Sequence, residues 1–218
     1  TLSVQNIEDL SGNVMDADAI DFVYFVISPE NIVINEILAD PTPANALPEF
    51  EFVEIYNNTS YNLQLSSWTI TVGSTSKTIP DITINANDYY IICDANDVSE
   101  FQSYGNVVGV SSLPALTNGG TSIVLKDEND STISQVTYSD TWYQDPAKED
   151  GGWTLERIDP LNDCGGYTNW KASNNFSGGT PGEINSIFAS NVDTVAPSVE
   201  SIFVANSMQL SIKFTEPV

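Results

Sequence analysis

From residue 32 to residue 71 apolar and polar positions alternate so as to define three strands and the turns between them. Ile32, Ile34, Glu36 and Leu38 share one face of the first strand, with Val33, Asn35 and Ile37 on the other. In the second, Phe50, Phe52, Glu54 and Tyr56 alternate with Glu51, Val53 and Ile55. One acid in each strand, Glu36 or Glu54, falls on the more apolar face, where a buried carboxylate must find a donor or shift its pKa. Asp40-Pro41-Thr42-Pro43 and Pro48 exclude a two-residue hairpin and predict an exposed, stiff loop. Asn57-Asn58-Thr59-Ser60 reads as a turn, and Trp68 leads the third strand.

The same reading extends along the chain. Strands are predicted at 69–72 and 89–93, and a hairpin joins 123–125 to 133–138 across a polar 126–131. Asp97-Val98-Ser99-Glu100 has a capping-box pattern ahead of Phe101 and Tyr104, predicting one short helix that ends at Gly105. Residues 139–150 form a polar loop carrying Trp142 and Tyr143, and 153–158 is the last strand of the central region. The remainder to residue 187 is rich in Gly, Asn and Ser and reads as irregular chain wrapped over the strands. Each flank reads as a hairpin. Residues 2–4 and 22–27 make one, around a turn at 9–13; Leu210, Ile212 and Phe214 alternate in the other, with its turn at 205–207.

The segments INEILADP (34–41), EFEFVEIYN (49–57), LSSWTI (65–70), YYIICD (89–94), LTNGGTSIVLKDENDSTISQVTYSD (116–140), GGWTLERIDP (151–160), NWKAS (169–173) and GGTPGEINS (178–186), in that order, resemble the lamin tail domain. This is an Ig-like β-sandwich shared by animal lamins and many bacterial surface proteins. The proline loop and the two cysteines look like its bacterial, Bacteroidetes-type version. The flanks look like partial Ig-like repeats of surface-layer proteins, which divides the chain into 1–28, 29–190 and 191–218. The implied fold is all-β: an Ig-like sandwich with short hairpin flanks at both termini, which could pair with each other within one chain or between two.

Thirty acidic residues against six Lys and Arg give a formal charge of −24, a field that repels nucleic acid and anionic membranes. No apolar run is long enough to span a bilayer. The chain opens at Thr1 without a signal segment and reads as an excised piece of a longer exported protein, so the missing signal says nothing about export. There is no histidine, which removes Ser-His-Asp and Cys-His catalysis and the common zinc sites.

What chemistry remains is limited. Cys93 and Cys164 are open to three readings: a disulfide, two buried thiols, or one reactive thiol. Both positions match cysteines of the resembling bacterial domains, which together with export favours the disulfide. Asp127, Asn129 and Asp130 at a hairpin tip, and Asp94, Asn96 and Asp97 after a strand, offer oxygen ligands for calcium, but the same residues are the ordinary material of turns and caps. Arg157, the only arginine, is expected to fork onto Glu54, Glu36 or both, with Asn35 and Asn57 completing the network. Trp142 and Tyr143 are candidates for ligand contact or for anchoring their own loop.

The expected function is a non-catalytic extracellular module of a multidomain bacterial surface protein, with a spacing or adhesive role and no cofactor. Its partners would be neighbouring domains or a surface protein or glycan, with no nucleic acid and no membrane insertion. The alternatives are a carbohydrate-binding accessory domain with structural calcium and, further off, an acid-pair hydrolase.

Overall fold

The structure is a computed structural model that describes residues 1–21, 24–206 and 208–215. The N-terminal hairpin pairs β1 (Leu2–Val4) with β2 (Asp18–Ile20), Leu2 lying opposite Ile20. The carboxylate of Asp9 accepts the N–H groups of Ser11 and Asn13, which closes the intervening turn. The second strand of this hairpin thus lies earlier than the sequence pattern puts it. Residues 22 and 23 of the predicted 22–27 strand lie outside the described residues, and 24–27 form no strand. Phe25 and Ile27 turn to the central core, Phe25 stacking on Tyr61 at 4.7 Å.

The central part runs through β3 (Ile32–Leu38), β4 (Phe52–Asn57), β5 (Leu63–Leu65), β6 (Thr69–Val72), β7 (Thr75–Thr78), β8 (Ile82–Ile84) and β9 (Tyr89–Asp94). A one-turn helix α1 (Val98–Phe101), then β10 (Val107–Val110), β11 (Ser122–Lys126) and β12 (Thr132–Thr137) follow. A second one-turn helix α2 (Pro146–Glu149) precedes β13 (Leu155–Arg157) and β14 (Trp170–Ala172). The C-terminal hairpin is β15 (Val199–Asn206) with β16 (Gln209–Phe214); Ser207 of its predicted turn lies outside the described residues. Among the described residues no helix is long and apolar enough to cross a membrane.

Two sheets face each other across one core. One has the order β10-β9-β4-β3-β13-β14 and the other β12-β11-β6-β7, with β5 and β8 paired as a small third ribbon. Ile34, Val53, Ile55 and Ile92 of the first sheet meet Ile70, Val72, Ile123 and Leu125 of the second, with Trp68 fully buried among them. Apolar alternation along both sets of strands makes this a β-sandwich.

The first sheet is covered on both faces, which is why every residue of β3 is buried. Its outer face carries a second cluster, Leu38, Leu47, Phe52, Ile91 and Cys93, capped by Phe101 of α1. A β-bulge between Ile34 and Glu36 changes the faces predicted for β3. Asn35 is the extra residue, so Ile34 and Ile37 both point to the inner core while Glu36 and Leu38 point outward.

Asp97 does not cap α1: its backbone is not extended and its side chain makes no capping bond. The predicted loop at 139–150 holds a 3-10 turn (Asp140–Tyr143) and α2, which Asp145 caps through the Ala147 N–H at 3.1 Å with Pro146 at the first position. No strand ladder joins the two terminal hairpins among the described residues, and most of their side chains are exposed.

Candidate functional site

Register places three glutamates side by side on the outer face. Glu54 of β4 lies opposite Glu36 of β3, and Glu36 lies opposite Glu156 of β13. All three are fully buried. Directly opposed side chains of this kind stand about 5 Å apart at Cβ, where like charges repel. Lys171 occupies the next position of the row on β14, but it is exposed and makes no ion pair with Glu156.

The carboxyl oxygens are satisfied largely by the segment 180–187, which lies over the row as a strap. Glu36 Oε1 accepts from Thr154 Oγ1 at 2.6 Å and from the Thr180 N–H at 2.8 Å. Glu54 accepts from Asn35 Nδ2 at 3.0 Å and the Gly182 N–H at 2.6 Å. Glu156 accepts from Thr180 Oγ1 at 2.9 Å, Ser186 Oγ at 2.8 Å and the Ile187 N–H at 3.1 Å. Glu36 Oε2 has no partner.

The approach is close enough to require glycine. A Cβ on Gly179 would stand 2.6 Å from Glu36 Oε1, and Gly182 has φ +80° with its Cβ position overlapping the Tyr104 carbonyl. Asn185 pins the strap further, donating to the carbonyls of Asn35 at 3.0 Å and Arg157 at 2.7 Å, and accepting from Asn35 Nδ2 at 2.9 Å.

Burial pushes Glu36 well above the usual carboxylate range, and the neighbouring Glu54 and Glu156 push it further. Burial likewise raises Glu54 to about 8, against the lowering effect of its bonds from Gly182 and Asn35. These are the marks of carboxyls held as neutral acids.

Arg157 does not reach this row. Alternation on β13 turns Glu156 outward and its neighbour Arg157 to the opposite face, so the expected fork onto Glu36 and Glu54 is replaced by another set of partners. Nη1 lies 3.1 Å from Glu30 Oε2, Nη2 lies 2.7 Å from the Asn162 carbonyl and 3.6 Å from Asp163, and Nε donates to the Asp159 carbonyl at 3.3 Å. Asn57 is buried elsewhere, its Nδ2 pinning the carbonyls of Tyr61 at 2.7 Å and Asn85 at 2.8 Å. Of the five residues expected in one network, Asn35, Glu36 and Glu54 come together; Asn57 and Arg157 do not. Glu156, Thr154 and Thr180 take their place. The alternation of TLERI was the available signal for Glu156; nothing local signals the strap.

The expected disulfide is absent. Cys93 sits on β9 in the outer apolar cluster, where burial raises its thiol to about 12. Cys164 lines a cleft beside Arg157 of β13. No disulfide joins them: Cys93 is on β9, and Cys164 is in the loop that follows β13, three strand steps away in the sheet order.

The two acidic clusters are built into turns. Asp127 Oδ1 accepts the N–H groups of Asn129 at 2.9 Å and Ser131 at 2.7 Å, and Asp130 pairs with Lys126 at 2.7 Å. Asp94 accepts from the Asn96 N–H at 3.0 Å, Asn96 Nδ2 at 2.7 Å and the Leu113 N–H at 3.1 Å; Asp97 lies beside it at the start of α1. Among the described residues no three acidic or cysteine side chains are grouped to hold a metal ion.

A cleft of about 650 Å³ opens where β12 meets β13 and β14. Trp142 lines it, stacked at 6.3 Å on the buried Trp170, whereas Tyr143 is a core residue whose hydroxyl donates to the Trp153 carbonyl at 3.1 Å.

A family model described as Lamin Tail Domain matches residues 26–140. The match takes in β3 and β4 but ends before β13 and the strap. No curated protein matches the chain.

Two predictions follow from the ladder and the ion pair. Raised folded pKa values mean that the native state holds more protons than the unfolded chain between 4.5 and about 8, so this stability is complete below that window and lost as pH rises through it. Glu30 and Glu51, raised by burial, act in the same direction, while the lowered Asp9, Asp94 and Asp127 act only below their ordinary 3.8. Urea unfolding should show stability falling from pH 5 to 8 by up to about 1.4 kcal/mol per pH unit for each neutral carboxyl, and Glu36→Gln should reduce the slope. A stability that rises over that range would contradict the assignment.

Arg157→Ala leaves Glu30 without its cation. It should cost about 2–3 kcal/mol, less than a sealed pair because Glu30 and Asp163 remain partly open to water. A loss under about 0.5 kcal/mol in the same assay would show that the pair carries little.

Proposed function

This chain belongs to the lamin tail domain family, a family of Ig-like structural domains, and from that premise we propose that it is a non-catalytic structural and interaction module of a multidomain protein exported to the bacterial cell surface. Its role is to space neighbouring domains or to carry adhesive contacts between them and the surroundings.

The observation that carries the reading is the sealing of the glutamate row. A hydrolase of the acid-pair type needs two carboxyls flanking a space that a substrate bond can enter. Here the three carboxyls that the register sets side by side are fully buried, and strap donors together with Asn35 and Thr154 occupy all but one of their oxygens. Their chemistry is used to close the molecule. The charge of −24 supports a surface location, where strong self-repulsion keeps a protein soluble and discourages aggregation. The terminal hairpins support a role within a longer assembly, because two-stranded ribbons with exposed apolar residues such as Leu2, Ile20, Ile202 and Leu210 are marginal alone in water.

Protease shaving of intact source cells tests the location: peptides cut at Lys77, Lys126 and Lys171 should appear in the supernatant before lysis. Their appearance only after lysis would place the protein inside the cell. In parallel, a panel of polysaccharides and esters should show no turnover by the purified chain; turnover abolished in Glu36→Gln or Glu54→Gln would overturn the non-catalytic reading.

A further inference from the structure

We propose that the cleft between β12 and β14 binds a neutral oligosaccharide, with Trp142 as the stacking platform. The site is separate from the glutamate row, and it gives the module a ligand beyond its spacing role.

The floor of the cleft decides the charge of the ligand. Arg157 is almost fully buried there and is already matched by Glu30 and Asp163, with further donors committed to the carbonyls of Asp159 and Asn162. No bare cation is left to recognise a phosphate, sulfate or carboxylate, and a chain carrying −24 repels anions from a distance. The arrangement is held with some strain. Glu30 has φ +61°, an unusual conformation for a residue with a side chain, fixed by its N–H bond to the Ile133 carbonyl at 2.7 Å. That conformation belongs to the segment that delivers the Glu30 carboxylate to Arg157 and neutralises the floor.

The walls decide the chemistry of the ligand. Thr132, Gln135 and Thr137 lie along β12 with exposed side chains that line the cleft and make no side-chain hydrogen bond among the described residues. This contrasts with the neighbouring Asn162, Asn169 and Asn191, each of which is engaged by backbone or by another amide. Asp163, with 49% of its side chain exposed, offers carboxylate oxygens at the rim. Hydroxyls and an amide can both donate and accept, which suits a ligand dense in hydroxyl groups.

On the other side Trp142 is half-buried, its ring tilted 38° to that of Trp170, which is only 4% exposed. The buried ring backs the accessible one and fixes it as a firm apolar surface. Sugars are the ligands that combine an apolar C–H face with a rim of hydroxyls and carry no charge. A cleft of about 650 Å³ is within the range of small-molecule sites.

The test is titration of the chain with neutral oligosaccharides of glucose, mannose, xylose and N-acetylglucosamine, read by tryptophan emission and by amide chemical shifts. At least one should bind, shifting the amides of β12 and of residues 140–143. Trp142→Ala should weaken that binding at least about tenfold, and Trp142→Phe should restore most of it. The double variant Gln135→Ala, Thr137→Ala replaces only exposed side chains and so keeps the fold; it should weaken binding to a similar degree. No binding by any sugar of the panel would overturn the proposal, as would binding that survives both variants. Binding of an acidic polysaccharide or an extended peptide in the cleft in place of a neutral sugar would overturn it too. None of these failures bears on the structural role, which rests on the sealed glutamates.

Discussion

Opposing carboxyl groups on adjacent strands ordinarily weaken a sheet, and here three of them are lined up across β4, β3 and β13 with no cation in contact. The row is stable only if the carboxyls are neutral, hydrogen-bonded or both, and the strap at 180–187 supplies most of the donors. Of those backbone donors Thr180 is buried and Gly182 and Ile187 are partly buried, so they in turn need acceptors. Each side thus meets the requirement of the other, and contacts between residues more than a hundred positions apart in sequence become obligatory. The same row explains why β3 is buried on both faces: the second sheet covers one face, and the strap and α1 cover the other.

The bulge at Asn35 is the geometric device that makes this arrangement work. Without the extra residue, Glu36 would follow Ile32 and Ile34 into the apolar core between the sheets, where no donors wait. With it, the inner face keeps its run of isoleucines and the carboxyl turns outward. Asn35 then bonds to Glu54 and exchanges bonds with Asn185 of the strap. On β13 the alternation of Glu156 and Arg157 separates two polar systems: one sealed and concerned with closing the fold, the other at an open cleft beside two tryptophans. This separation would let a structural domain carry the proposed binding surface without cost to its core.

Strands with clean two-residue alternation were legible from the sequence, as β4, β9, β11 and the C-terminal hairpin show. The two buried acids stood out for the same reason, since Glu36 and Glu54 interrupt apolar rows. Their surroundings were not legible. A one-residue bulge leaves no local signature at Asn35, so the faces of β3 were assigned as though it were regular. Charge and the resemblance match Arg157 to Glu36 and Glu54, but neither decides which face of β13 it takes, and its neighbour Glu156 takes the one facing them. Asn57, buried and polar, ends β4 and braces the turn that follows, the turn in which composition also places it. The strap has no periodicity, because its order comes from distant carboxyls and not from its own pattern. Cys93 and Cys164 illustrate a further limit: resemblance suggests a pairing, but only register shows that β4 and β3 lie between β9 and β13, beside which Cys164 lines the cleft.

The protonation state of the row can be observed directly by following the side-chain carboxyl ¹³C resonances of the glutamates through a pH titration, with Glu36→Gln and Glu54→Gln used to assign the signals. The account predicts that Glu36 and Glu54 keep the chemical shift of a protonated acid at about pH 6, after the exposed glutamates have ionised near their ordinary value. If both titrated with the exposed glutamates while the protein stayed folded, the row would be ionised in the native state. The neutral-acid account of how the strap is held would then be wrong.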